Sequence, residues 1–124
     1  MIGVGFLEEI IFRGFLLKMM EKDNVNTAII VTSITFGIGH IVNLFNGADV
    51  IPTLMQICYS ISIGFLFVTI FQKSKSLWPC IIAHIAINCL AIFSIENTIT
   101  LYIIPIFWII TSIAYAMYLR KVIK

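Results

Sequence analysis

Charged residues are scarce in this chain. Only 11% of its 124 residues are charged, whereas 60% are hydrophobic. A soluble globular domain carries about 25% charged residues, so the composition argues against that class. Together with a mean hydropathy of +1.07, it indicates an integral membrane protein. The net charge of +2 is too small to favour a nucleic-acid partner.

The sequence also lacks several signatures of chemistry. Cys58, Cys80 and Cys89 occur without a CxxC pair, and we interpret them as small apolar residues packed between helices. The zinc motif HExxH is absent, and no Ser or Cys stands beside a histidine in a nucleophile arrangement. The N-terminus has no basic region followed by a small-residue cleavage site, so no cleavable signal peptide is predicted.

Apolar runs separated by short polar breaks predict an all-α polytopic membrane bundle. A spanning helix needs about 20 mostly apolar residues, so the chain accommodates about five spans in a single domain, residues 1–124. The predicted spans are residues 1–20, 26–45, 51–71, 77–95 and 99–119. No internal repeat or low-complexity linker interrupts them.

The basic residues orient this predicted bundle. Of the eight Lys and Arg residues, all except Arg13 fall on one side of the membrane. These are Lys18, Lys22, Lys73, Lys75, Arg120, Lys121 and Lys124. The positive-inside rule places that side in the cytoplasm, so we expect the N-terminus outside and the C-terminus inside. The Ile-, Lys- and Asn-rich composition favours a bacterial plasma membrane.

Besides Lys18 near its end, the first predicted span contains three ionisable residues, Glu8, Glu9 and Arg13. A charge at mid-membrane costs about 2.5–3.5 kcal/mol on insertion scales, so each needs a reason. Glu9 and Arg13 are four apart with the carboxylate N-terminal, the favourable orientation for an ion pair. Glu8 lies about 100° around the helix and has no partner within it. Read alone, the three residues fit either a functional site or a polar seam for helix packing.

Polar residues of two further spans reach similar depths. At 1.5 Å per residue, Glu8, His40 and Asn88 lie roughly 16–20 Å from the cytoplasmic ends of their spans, and His84 roughly 10 Å. His84 and Asn88 are four apart and share one helix face. Polar residues that each served only a separate helix contact would not be expected to lie at similar depths on three helices. The pattern therefore predicts one polar cavity.

Such a cluster supports two kinds of hydrolytic site. In the first, Glu8 takes a proton from water that His40 orients, while His84 and Asn88 donate hydrogen bonds to the oxyanion. In the second, Glu8, His40 and His84 bind zinc and leave its fourth position for water. Direct attack by water without a cofactor is the more economical expectation, and zinc stays open as the alternative.

Three motifs carry a family resemblance. EEIIFRG (residues 8–14), FGIGH (residues 36–40) and HIAIN (residues 84–88) occur in order on three predicted spans. They resemble the EExxxR, FxxxH and HxxxN/D motifs of the CPBP family, the CAAX proteases and bacteriocin-processing enzymes also called Abi.

The resemblance implies an intramembrane endopeptidase whose active site opens toward the cytoplasm. Its substrate would be a membrane-embedded or lipidated peptide or protein. By this resemblance Glu8 and His40 activate water, and His84 and Asn88 form the oxyanion site. The residues expected to support them are Glu9, Arg13 and Phe36. Members of the family have also been labelled metalloproteases, so zinc stays open as a cofactor.

Family members usually have further spans before the EExxxR helix. The resemblance therefore implies either a minimal member or an N-terminally truncated chain. Among the eukaryotic relatives the activity removes the last three residues of prenylated CAAX proteins; bacterial members are associated with bacteriocin maturation and immunity.

Two functions of other classes compete with the protease. The first is a non-catalytic bacteriocin-immunity or membrane interaction protein on the same scaffold. The second is a proton- or ion-coupled carrier, which is less favoured because inverted repeats are absent. The oligomeric state is open, since Ser60 and Gly64 form a small-xxx-small pair that could pack within or between chains.

Overall fold

Short loops join the helices that make up the computed structural model, which describes residues 2–123. Within that range it contains no strand. The helices are α1 (residues 2–20), α2 (Val25–Phe45), α3 (Val50–Ser74), α4 (Trp78–Ile92) and α5 (Ile99–Val122). The predicted all-α membrane bundle is confirmed.

Two of these helices depart from regular α-helical winding next to candidate site residues. In α1, the segment Ile2–Glu9 is α-helical, Ile10–Leu17 is π-helical and Lys18–Met20 is α-helical again. In α2, Gly39–Ile41 forms a 3₁₀ turn. A π-helix bonds residue i to residue i+5, and such segments occur frequently at functional sites. A regular period of 3.6 residues per turn predicts neither departure.

The polar breaks act as helix caps. The Asn24 side chain accepts a hydrogen bond from the Thr27 N–H at 2.9 Å and so begins α2. Lys75 closes α3 in the left-handed conformation (φ 57°), and its N–H donates to the Phe71 carbonyl at 2.8 Å. Asn97 accepts from the Ile99 N–H at 2.9 Å at the start of α5. Each cap satisfies backbone groups that a helix end leaves unpaired.

Helix length and polarity bear on the number of spans. Among residues 2–123, α2, α3 and α5 are the three helices long and apolar enough to cross a membrane. The 15-residue α4 extends only about 22 Å at 1.5 Å per residue, against a hydrocarbon core of about 30 Å. It ends at Ile92, not at the predicted residue 95. The chain is an integral membrane protein, and the count of five spans and the orientation of the termini stay predictions.

Glycines set the close crossing of α2 and α3. A Cβ at Gly37 would lie 2.3 Å from Ile61 Cγ1 and 2.9 Å from the Ile57 carbonyl oxygen. On the facing helix, a Cβ at Gly64 would lie 3.2 Å from the Ser33 carbonyl oxygen. Small residues let membrane helices approach this closely. Gly64 therefore serves packing within the chain, one of the two uses left open by the sequence.

The antiparallel pairing of α1 with α4 positions the candidate site. Gly5 of α1 lies beside Ile85 of α4, and Gly14 lies beside Leu77. The adjacent acids of α1 fall between these two contacts and so face the middle of α4. On the other side of the bundle, α5 packs against α3, where Ser112 and Ala116 are buried.

Candidate active site

Glu9 is the centre of a buried polar cluster. Its Oε1 atom accepts a hydrogen bond from Arg13 Nη1 at 3.2 Å, and both side chains are completely buried. The predicted ion pair is therefore present. The same oxygen lies 2.8 Å from His84 Nδ1. Sequence reasoning assigned Glu9 to Arg13 alone and missed this second contact, which joins residues 75 apart in the chain.

Arg13 connects α1 to two other helices. Its Nη2 donates a hydrogen bond to the Gly64 carbonyl oxygen of α3 at 3.1 Å. The guanidinium carbon lies 4.3 Å from the ring centroid of Phe36 and 5.4 Å from that of Phe67, within the range of cation–π attraction. The contact with Phe36 agrees with the supporting position expected for that residue. Phe67 was not singled out, because no motif marks it.

Glu8 differs from its neighbour in accessibility. Its Oε2 atom lies 3.4 Å from His84 Nε2, and its side chain is 31% exposed, compared with 0% for Glu9. Glu8, which has no partner within its own helix, thus contacts His84 of α4. Only the Glu8 carboxylate of the adjacent pair is accessible to water or substrate.

His84 bridges the two carboxylates with its two ring nitrogens. A neutral imidazole has one N–H and can donate to only one of them, whereas the doubly protonated ring donates to both. In the doubly protonated form the cluster is electrically balanced, with Glu8 and Glu9 opposite Arg13 and His84. The 2.8 Å contact at Nδ1 fixes the ring so that Nε2 is directed toward Glu8.

His40 lies at the edge of this cluster. Its ring centroid is 6.0 Å from that of Phe36 in an edge-to-face arrangement, and the Phe36 ring is 5.4 Å from His84. Phe36 therefore contacts both histidines. His40 is half-buried, and within residues 2–123 no hydrogen bond joins it to Glu8 or His84.

Asn88 lies one turn beyond His84 on α4 and is half-buried. In the described part of the chain its carboxamide is not hydrogen-bonded to any candidate residue. The structure thus brings Glu8, Glu9, Arg13 and His84 into one connected cluster. His40 joins through an aromatic contact, and Asn88 stays adjacent but unconnected.

Zinc is the cofactor that the sequence left open as an alternative. Three protein ligands typically hold a catalytic zinc ion. Among residues 2–123 no three His, Cys, Asp or Glu side chains are grouped so that they could hold a metal ion. This arrangement does not fit the predicted set of Glu8, His40 and His84.

Comparison with known proteins gives two findings. Residues 1–90 match the model of the family described as "Type II CAAX prenyl endopeptidase Rce1-like". The chain is also similar to "Putative membrane peptidase YdiL" of Bacillus subtilis (strain 168), with 34% identity over 83 residues. That match covers 66% of this chain and 30% of the relative, so the chain spans about three tenths of the relative's length. No solved structure matches significantly.

The matched residues 1–90 contain all three motifs and every residue of the cluster around Glu9. The resemblance to the CAAX proteases that those motifs indicated is thereby confirmed. The chain belongs to the Rce1-like family of type II CAAX prenyl endopeptidases, a family of membrane proteases.

Proposed function

We propose that this chain is an intramembrane endopeptidase that hydrolyses a peptide bond by direct attack of water. The observation that carries the proposal is the contrast between the two adjacent acids. Glu9 is buried and holds His84, whereas Glu8 faces the same imidazole and stays accessible. One carboxylate orients the site, and the other is free to act on water.

In the proposed reaction, the Glu8 carboxylate removes a proton from water as the water oxygen bonds to the substrate carbonyl carbon. The carbonyl oxygen becomes an oxyanion that accepts hydrogen bonds from His84 Nε2–H and from the Asn88 carboxamide. Glu8 then transfers the proton to the amide nitrogen, the C–N bond breaks, and an acid and an amine leave. General-base assistance of this kind contributes typically about 10²- to 10⁴-fold in rate.

The surrounding residues have positioning roles in this proposal. Glu9 accepts from His84 Nδ1–H and orients the ring, as the carboxylate does in a catalytic triad. In this proposal His84 is doubly protonated, so that its Nε2–H, which faces Glu8 in the structure, donates to the oxyanion. Arg13 balances the charge of Glu9 inside the bundle. His40, whose ring contacts Phe36, orients the attacking water in this proposal.

The proposed substrate is a membrane-embedded or lipidated peptide or protein, because the site lies within apolar helices. We place the chain in a bacterial plasma membrane, with the site opening toward the cytoplasm, and we propose that it uses no cofactor. A prenylated CAAX tail is a substrate to test first, since the family description names that activity.

The test compares Glu8→Gln with the wild-type chain and with Glu96→Gln, an exposed loop control that undergoes the same chemical change. Each protein is expressed in bacterial cells, and new protein termini in the membrane fraction are identified by mass spectrometry. In parallel, each purified protein in proteoliposomes is assayed with a fluorogenic farnesylated CAAX peptide. We expect Glu8→Gln to lose at least about 100-fold in cleavage rate and Glu96→Gln to match wild type.

Two outcomes contradict the proposal. New termini that appear equally with wild type and with Glu8→Gln would remove Glu8 from catalysis. A wild-type chain that generates no new termini in cells and cleaves no peptide, yet protects cells from a bacteriocin, would favour the alternative of a non-catalytic immunity or interaction protein.

A further inference from the structure

A cleft of about 310 Å³ opens at the basic end of the bundle, far along the helices from the Glu8 cluster. It lies where the loop after α1, the start of α2 and the ends of α3 and α5 meet. Its lining residues are Glu21, Val25, Gln72, Lys73, Lys75 and Arg120. None of them belongs to the proposed hydrolytic site.

The cleft carries an excess of positive charge. Three cationic side chains line it, Lys73, Lys75 and Arg120, and Glu21 is the one acid among the lining residues. Within residues 2–123 none of these cations lies within 4.0 Å of a carboxylate. Lys73 Nζ donates to the Ile123 carbonyl, a contact that does not neutralise its charge.

The N-terminus of α2 adds to this positive field. Val25, the first residue of that helix, lines the cleft. The first N–H groups of a helix have no partner within it and carry a partial positive charge that favours anions. Asn24 caps one of them, the N–H of Thr27.

We propose that this cleft binds the phosphate of an anionic phospholipid headgroup. It lies at the ends of α2, α3 and α5, the helices long and apolar enough to span a membrane, and thus at headgroup level. Basic pockets between transmembrane helices bind such headgroups. Free phosphate has the same chemistry and is the other source of the ligand. The proposal does not depend on proteolysis.

A simpler explanation accounts for part of the pattern. Basic residues at cytoplasmic helix ends set membrane orientation, and at C-terminal ends they complement the helix dipole. Those effects explain the sign of each charge. They do not require residues of α3 and α5 to converge around one cavity with the N-terminus of α2.

The test compares two double variants with equal loss of charge. Lys73→Gln with Arg120→Gln removes two of the three cations that line the cleft and leaves Lys75, whereas Lys22→Gln with Lys121→Gln removes basic residues of the same end that do not line it. Binding of phosphatidylglycerol to the full chain in detergent micelles is titrated by native mass spectrometry, with phosphatidylcholine as the neutral lipid. We expect about fivefold weaker binding for each cleft residue, or about 25-fold together, and near wild-type binding for the control.

A third variant distinguishes loss of the anion site from loss of folding in the cleft double variant. Glu21→Gln removes the cleft acid and should tighten phosphatidylglycerol binding by about fivefold, the contribution of one charge near the surface. Equal weakening in both double variants, no preference over phosphatidylcholine, or no gain with Glu21→Gln would overturn the proposal.

Inorganic phosphate distinguishes the two sources. If phosphate alone binds wild type and displaces the lipid, but fails to bind the cleft variant, the site is a phosphate site with free phosphate as a ligand. If the lipid binds and phosphate does not compete, the headgroup within its membrane is the ligand. Both results support the cleft as the anion site.

Discussion

The buried pair of Glu9 and Arg13 permits a double-mutant cycle whose outcome follows from the contacts of each residue. Glu9→Leu leaves the guanidinium and His84 Nδ1 without their carboxylate. Arg13→Met leaves the Glu9 charge unpaired and the Gly64 carbonyl without its side-chain donor. Removing one partner of a buried ion pair costs about 3–5 kcal/mol, whereas replacing both by apolar residues is often nearly neutral.

We therefore expect each single variant to lower the free energy of unfolding by about 3–5 kcal/mol. The double variant keeps the cost of the unpaired His84 nitrogen, about 1–3 kcal/mol for a buried unsatisfied group. The Gly64 carbonyl loses its bond from Arg13 but keeps its backbone partner within the α3 helix. The double variant should thus be less destabilised than the sum of the singles by several kcal/mol, and that difference measures the coupling between the two charges.

Unfolding is followed by far-UV circular dichroism in mixed micelles as the fraction of sodium dodecyl sulfate increases. The exposed control Glu96→Leu should stay within about 0.5 kcal/mol of wild type. Additive costs in the double variant would refute the reasoning, because they would mean that the two side chains do not stabilise each other. Single variants that match the exposed control would refute it equally.

The remaining predictions concern packing, metal dependence and topology. Gly37→Ala should lower the free energy of unfolding by about 1–3 kcal/mol through overpacking, because its Cβ would lie 2.3 Å from Ile61 Cγ1. Gly39→Ala, where a Cβ meets nothing within 4 Å, should have little effect, and equal costs at both positions would contradict the close crossing. Cleavage by the purified chain should be unchanged after chelation with EDTA; a loss of activity that zinc alone restores would favour the metal alternative. Green fluorescent protein fused after Lys124 should fluoresce, since the C-terminus is predicted to be cytoplasmic. An active alkaline phosphatase fusion at that position would indicate the opposite orientation.

Local features of the chain were predictable from its sequence. The polar breaks gave helix ends close to those observed, and two of the breaks supply side-chain caps, Asn24 and Asn97. The ion pair of Glu9 with Arg13 followed from their spacing on one helix. The expected proximity of Glu8 and His84 is also present in the structure, since α1 and α4 pair with the two acids opposite His84.

Contacts between helices were harder to predict, and the reason is physical. Lipid is as apolar as a protein core, so hydrophobic periodicity does not tell which face of a membrane helix is buried. On α1, Phe15 is 62% exposed and Leu17 is 0% exposed, although both are large and apolar. The contact of Glu9 with His84 and that of Arg13 with Gly64 depend on helix register, which composition and spacing do not encode.

The π-helical segment of α1 has a consequence for how this helix tolerates changes in length. It begins at Ile10, directly after Glu9, so its wider winding sets the angle between the side chains before and after that point. One half of the helix directs Glu9 toward α4, and the other directs Arg13 toward α3. Deleting one residue here would turn one half relative to the other by about 100°, the rotation of a single helical residue. Insertions and deletions between residues 10 and 17 should therefore be tolerated less well than most substitutions there.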